Sequence, residues 1–540
     1  MPVRRFSVGS FVVVSMLATL AMGGGASARS HRNRSKPAKS TEPEQKPPKE
    51  SVKERDDATE TDEGAAPESE PKAEPKSESK LPEPSVEPHV AEPAPELKVA
   101  PRPTPVPTVE AAPPSASDGS VGFSDRLYIR SPGGEVVLFP GGRVQVDAAA
   151  FPRQTPKSGA YLRRARVELT GWLGRIFYFD VSADVAPSPP EGAEPMAPSA
   201  LPATDNYVAL APFGDRFILQ AGQFDAPFTL ENRTSDAYTD FIERAMVARS
   251  VGAPRNKEVG AMVHGLLGAL YYSAGVFNGD GPDFRNFDNQ PDAIGRVTLS
   301  PFTSSDSLLR RLTVGGSAWY GRHILGPTFP VQATPGGVRF LIPQWNSGQP
   351  NQPTRPLELR EHGYVAAFAG ELSIPFGTHA GLRGEVVYKQ QQLAEVETTT
   401  VNGPVTALGT PQLNALAAYG ELWLWLAGDE RMLPAPGLQL PARIDGRYRR
   451  AFEDGLMFAV RGEMVKEDLI DTQAALADPT RATTRVISGT AGVNYWRGSF
   501  ARISINYVLN MWSGTSETIK ALRAESLLEH ELLLRFAAAL

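Results

Sequence analysis

The sequence predicts an all-β fold, a transmembrane antiparallel β-barrel of about sixteen strands, from three observations. Apolar and polar residues alternate with a period of two through residues 121–540, the period of a strand whose faces meet different environments. The alternating segments are long, near the ~9–11 residues that a tilted membrane-crossing strand needs. Connections alternate between short and long, as in a barrel with tight periplasmic turns and large outer loops; a soluble sandwich has no reason for that asymmetry.

Composition narrows the class further. The chain has 540 residues, a formal net charge of −6 and no cysteine. A disulfide framework, a Cys-ligated metal and a Cys nucleophile are thereby excluded. A net negative chain without a basic block beyond its extreme N-terminus is a poor nucleic-acid binder. Residues 1–28 carry Arg4 and Arg5, an apolar stretch from Phe11 to Met22, and the small triplet Ala26-Ser27-Ala28, which is the pattern of a secretory signal peptide. Residues 29–120 are rich in Pro, Glu and Lys and nearly free of aromatics. Such a segment cannot bury enough apolar surface to offset the entropy of ordering it, so it reads as a disordered linker. Residues 121–540 form the barrel domain.

The strands follow in order. Centres fall near residues 146, 167, 181, 208, 219, 262, 273, 297, 315, 368, 385, 420, 460, 491, 506 and 535. Phe177, Phe179, Val181, Ala183 and Val185 share one face, with Tyr178, Asp180, Ser182 and Asp184 on the other. Ile503, Ile505, Tyr507, Leu509 and Met511 oppose Arg502, Ser504, Asn506 and Asn510 in the same way. The connection 428–454 breaks the short–long rule and has room for two more strands, which would make eighteen. Either count leaves a water-filled bore. Its inward positions hold eleven basic residues, among them Arg143, Arg164, Arg166, Arg216, Arg296, Arg311, Arg383, Arg502 and Arg535, against ten acidic ones. That near balance leaves selectivity to the charges at the narrowest point.

The long connection from Asp225 to Asn256 is the expected constriction. Its Phe241-Ile242-Glu243-Arg244 reads as partly buried, and a loop of that length needs a reason to exist. Arg233, Arg244, Arg249 and Arg255 could offer guanidinium forks to an oxyanion, or brace the loop against its own carboxylates.

These residues resemble a known family. Leu162-Arg163-Arg164-Ala165-Arg166 followed by Gly171, Gly222-Gln223-Phe224 with Pro227-Phe228, and Phe241-Ile242-Glu243-Arg244 are similar, in that order, to motifs of the phosphate-selective porin O and P family. Gly142 to Asp147, Val259-Gly260, Val276-Phe277-Asn278-Gly279 and Arg296 to Pro301 continue the resemblance, which is sharp over about 142–302. It implies a sixteen-stranded porin, commonly a homotrimer, in the outer membrane of a Gram-negative bacterium. Its lumen would be narrowed by the third loop and would pass small anions such as phosphate by passive diffusion. Asp225, where family members often carry a basic residue, and Leu540, where they usually end in Phe, depart from the pattern.

The anion-binding candidates are Arg163, Arg164, Arg166, Arg233, Arg244, Arg249, Arg296 and Arg383, with Phe241, Ile242 and Glu243 forming the constriction loop. Arg244→Ala is expected to change conductance or selectivity more than Arg502→Ala. The expected partners are outer-membrane lipid and permeant anions, with no cofactor and no nucleic acid. Residues 29–120 would lie in the periplasm. A structural anchor, tied to the cell wall by that tail, is the alternative reading. An enzyme is not expected: the five barrel histidines, His264, His323, His362, His379 and His530, show no zinc-binding spacing, and no G-x-S-x-G elbow is present.

Overall fold

The computed structural model describes residues 120–540 apart from 125, 153–157, 187–202, 253–256, 283–285, 287, 303–307, 331, 337–338, 342–343, 348–354, 398–406, 445–452, 471–482 and 514–527. The expected signal peptide and nearly all of the expected linker lie outside the described residues.

Sixteen strands form one closed antiparallel barrel. They are β1 (Val136–Ala150), β2 (Gly159–Leu173), β3 (Phe177–Asp184), β4 (Ala203–Leu210), β5 (Ile218–Asp225), β6 (Lys257–Leu267), β7 (Leu270–Phe277) and β8 (Asp292–Leu299). The second half is β9 (Thr313–His323), β10 (Arg355–Phe376), β11 (Ala380–Glu397), β12 (Gln412–Ala427), β13 (Asp454–Ile470), β14 (Thr483–Arg497), β15 (Ala501–Ser513) and β16 (Leu528–Ala539). Each expected centre falls inside one of them. The ladder closes where Leu532–Ala539 of β16 pairs with Arg143–Ala150 of β1. Leu540 donates its backbone N–H to the Gly142 carbonyl at 2.9 Å and extends the seam. Closure leaves no open sheet edge in hydrocarbon, the condition for a sheet to cross a bilayer. A short hairpin, Ser120–Ser124 with Arg126–Arg130, continues β1 on the periplasmic side through Ile129 opposite Leu138.

The two faces sort as the alternation requires. Val181, Val208, Phe368, Val460, Ile505 and Phe536 are exposed on the outside, while Asp180, Arg461, Asn506 and Arg535 are buried within. An Arg or Lys side chain would cost ~2–4 kcal/mol at the bilayer midplane if it faced lipid, and Asp or Glu less, so the charged positions set the phase of the strands that carry them.

The wall is uneven in height. β3, β4, β5, β7 and β8 have 8 residues each, whereas β10 has 22 and β11 has 18. Eight residues at ~3.4 Å, tilted by ~40°, reach only about 21 Å, short of a ~25 Å apolar band. One side of the barrel is low and the opposite side is tall.

The connection 428–454 adds no strand to the barrel among its described residues. It makes one 3₁₀ turn, Glu430–Met432, and then runs irregularly through Pro434, Pro436 and Pro441. Proline has no N–H for a ladder, which is why this segment cannot extend the sheet.

Candidate functional site: a passage between two inward loops

The third outer loop enters the barrel directly after β5. It carries two short helical turns, α1 (Leu230–Arg233) and α2 (Met246–Arg249). A buried loop must find partners for its backbone, and here the inner faces of β11 to β16 supply them. Glu385 accepts the N–H groups of Leu230 and Glu231 at 2.7 and 2.9 Å, and Glu463 accepts that of Met246 at 2.7 Å. Asn506 accepts from the Ile242 N–H at 2.7 Å, and the Asn494 amide donates to the Asp240 carbonyl at 2.7 Å. Arg502 and Arg535 donate to the carbonyls of Thr239 and Ile242. Arg383 binds Asp240 at 2.7 Å and Glu421 at 2.8 Å, and the Arg461 guanidinium lies 4.4 Å from the centre of the Phe241 ring. These bonds strap the loop to β11–β16, and its Asp236 and Glu243 reach across to β1 and β2.

The facing wall is β1 and β2, and a β-bulge shapes it. Gln145 of β1 lies opposite Arg164, but the next residue, Val146, lies opposite Leu162, so Arg163 is an extra residue. An extra residue shifts the two-residue phase, and both Arg163 and Arg164 point inward. Two carboxylates of the third loop meet these arginines. Asp236 is held by Arg143, by Arg164 at 2.7 Å and by Arg166 at 3.8 Å. Glu243 is held by Arg163 at 3.0 Å, Arg535 at 3.0 Å and Arg249 at 3.9 Å. Burial alone would raise the Glu243 carboxyl; Arg163, Arg249, Arg535 and Arg164 outweigh it and hold the group well below the usual carboxylate range. A cleft of about 80 Å³ runs between Arg163, Arg164, Arg244 and Arg249 on one hand and Asp236 and Glu243 on the other. Below it a cavity of about 1210 Å³, lined by Arg143, Arg164, Arg166, Asp180, Asp225 and Lys257 among others, continues to the periplasmic turns.

The second narrowing element comes from the periplasmic side. The 428–444 segment bends at Gly428 and Gly437, whose φ values are +67° and +70°, and climbs inside the barrel. Arg296 donates to the Gly437 carbonyl at 2.8 Å, and the Gly437 N–H donates to Thr234 of the third loop at 3.0 Å. Gln439 donates to Asp225 at 3.1 Å, and the Trp172 indole donates to the Ala442 carbonyl at 2.6 Å. Leu440 and Ala442 pack on Phe139, Trp172, Tyr178 and Ile218, while Met432 and Leu433 join Trp423, Trp425, Met457 and Trp496. The bore expected from the sequence as simply water-filled is thus partly packed, because these inward positions are apolar and a loop covers them.

The candidate arginines fall into two groups. Arg163, Arg164, Arg166, Arg244 and Arg249 border the cleft or the cavity beneath it. Arg233, Arg296 and Arg383 do not reach the passage. Arg233 is buried against the Asp225 carbonyl and the Tyr271 hydroxyl. Arg296 grips Glu371 with two bonds of 2.8 and 2.6 Å, and Arg383 is the strut to Asp240. Phe241 and Ile242 are buried as loop anchors; Ile242 and Glu243 line the cleft, and Glu243 supplies the charge there. Arg216 and Arg311 lie in periplasmic turns rather than on strands, and Arg255 lies outside the described residues. In the sequence Asp236 is only one of five loop carboxylates, with Asp225, Glu231, Asp240 and Glu243, and the 428–454 connection reads as room for two more strands rather than as an inward segment. Three prolines and two glycines inside an over-long inner-side connection were the available signal.

The comparisons bear on this half of the barrel. Residues 140–323 match the family model of phosphate-selective porin O and P. The match spans β1 to β9, the third loop and the bulged arginine strand, the same region that carries the motif resemblance. Among solved structures the chain is similar to a loop-deletion mutant of OmpT, an outer membrane protein of Vibrio cholerae, at 10% identity over 75% of this chain and 100% of that one, with a TM-score of 0.46. It is similar to the outer membrane channel DcaP of Acinetobacter baumannii at 10% identity over 78% of this chain and 100% of that one, TM-score 0.43. It is also similar to an anion-selective porin from Comamonas acidovorans at 11% identity over 75% and 100%, TM-score 0.38. A search of curated proteins gives no match.

Proposed function

We propose that the chain is a passive outer-membrane porin for small anions, phosphate among them. The observation that carries the reading is the charge of the cleft: four arginines face two carboxylates where the third loop meets β2. Summed over the whole bore the charges nearly cancel, but a permeating ion is sorted where water is thinnest and screening weakest. Guanidinium forks there can exchange an internal carboxylate for a passing oxyanion, so each contact is strong enough to attract and replaceable enough to release. Residues 29–120 are proposed as a periplasmic tether to this barrel.

A planar bilayer with a salt gradient tests the selectivity. The reversal potential is expected to take the sign of anion preference; cation preference refutes the reading. Arg244→Ala is expected to change conductance or anion preference by about twofold or more, and Arg502→Ala by less, because Arg502 backs the loop from the far wall. Equal effects would place the narrow point elsewhere. A wild-type barrel that gives no conductance steps would favour the anchor reading.

We also infer a homotrimer packed through the low wall of β3 to β8, where every strand but β6 leaves part of the ~25 Å hydrocarbon band uncovered. Val208 is 47% exposed on that wall. Val208→Arg is expected to dissociate the trimer, as read by light scattering in detergent. An unchanged mass in that variant would remove the low wall from the interface.

A further inference from the structure

On the tall wall, four glycines stand side by side on the outer face. Gly384, Gly420, Gly462 and Gly489 are direct cross-strand partners on β11, β12, β13 and β14. Their chain neighbours Arg383, Glu385, Glu421, Arg461 and Glu463 are buried inside, so the glycine positions face the bilayer. A Cβ placed on Gly420, Gly462 or Gly489 would meet nothing within 4 Å. The result is a furrow of about 650 Å³, walled by Leu382, Leu422, Val460, Ala491, Tyr507 and Leu509. Its floor, Gly420, Gly462 and Gly489, crosses two strand spacings of ~4.8 Å, about 10 Å, with Leu382 and Tyr507 beyond its ends, a length suited to part of an extended hydrocarbon chain. An unfilled furrow in an apolar wall forfeits the dispersion contacts of its lining.

A second observation says what fills it. Two steps further along the same outer faces, past Met464 and Ile487, Lys466 and Arg485 stand directly opposite each other and are exposed. Like charges opposed across strands repel, and cations on a lipid-facing surface are tolerated only near its borders. Asp468 holds the Lys466 Nζ at 2.5 Å, which leaves the trio with one net positive charge. At the periplasmic end of the same strands Leu456 pairs with Tyr495, whose hydroxyl donates to Asp454 at 2.9 Å. The ten-residue separation from there to Lys466 corresponds to about 26 Å of axial rise, so the cations stand at the outer headgroup level.

We propose that this wall binds one phosphorylated lipid of the outer leaflet, with a phosphate on Lys466 and Arg485 and an acyl chain laid along the glycine furrow. The proposal rests on the outer-membrane orientation given above and is independent of what the lumen conducts. Native mass spectrometry of the full chain in detergent tests it, with lipid A carrying two phosphates as the probe and its dephosphorylated form and phosphatidylethanolamine as comparisons. One retained lipid A is expected on the wild type, with at least tenfold weaker retention in Lys466→Gln/Arg485→Gln and in Gly462→Leu. The comparison lipids are expected to bind at least tenfold more weakly. Gly462→Leu adds its side chain to open space, so heat-modifiable mobility should confirm that it folds. Equal retention by both variants, or equal binding of dephosphorylated lipid A, overturns the proposal. Loss of the oligomer in Gly462→Leu also overturns it, by assigning the furrow to a second copy. Conductance steps from the same preparations separate the two readings: their absence in wild type would sink the porin and leave the lipid seat standing.

Discussion

Replacing residues 431–443 by a short glycine–serine turn raises single-channel conductance about twofold or more. This segment, not the third loop alone, fills the periplasmic half of the lumen. Its backbone is pinned at Gly437 between Arg296 and Thr234, and at Ala442 by Trp172. Without it the 1210 Å³ cavity would widen toward β12 to β14 and expose Trp423, Trp425 and Trp496 to water. The barrel itself should survive, because every ladder in the sheet forms without this segment. Selectivity should fall as conductance rises, since ions would gain a path farther from Arg143 and Arg166. Planar-bilayer recording gives both numbers, and a variant that conducts like the wild type would show that the segment does not lie across the ionic path.

Glu371→Ala lowers the barrel's unfolding free energy by about 3–5 kcal/mol. Arg296 and Glu371 are bound in two bonds of 2.8 and 2.6 Å, with side chains 2% exposed. Removing the carboxylate leaves a buried guanidinium whose remaining bond is to the Gly437 carbonyl. The double replacement Arg296→Met/Glu371→Leu should be much milder, because neither charge is then buried alone. Urea titration of the barrel in lipid vesicles measures both. Similar losses in the single and double variants would mean that packing, not charge, holds this site.

The fold was legible because a bilayer imposes a strict rule on each residue. Asp180 beside Val181, or Arg535 beside Phe536, leaves one possible phase. The inward course of the third loop was legible for a related reason: Phe241 and Ile242 are too apolar for an outer surface. The two features that alternation could not reveal both interrupt it. The bulge at Arg163 inserts one residue, so counting by twos places Arg163 outside although it points in. The 428–444 segment has no period at all. Its partners Trp172, Thr234 and Arg296 are remote in sequence, and its prolines say only that it is not a strand. The roles of Arg233, Arg296 and Arg383 were hidden likewise, since an arginine facing water and one facing a distant carboxylate look alike in a single sequence.

The seam between β16 and β1 is coupled to the third loop. Arg535 of the last strand holds Asp147 of the first at 2.6 Å and reaches Glu243 of the third loop at 3.0 Å. One guanidinium thus ties closure of the cylinder to seating of the loop, and losing either carboxylate would loosen both.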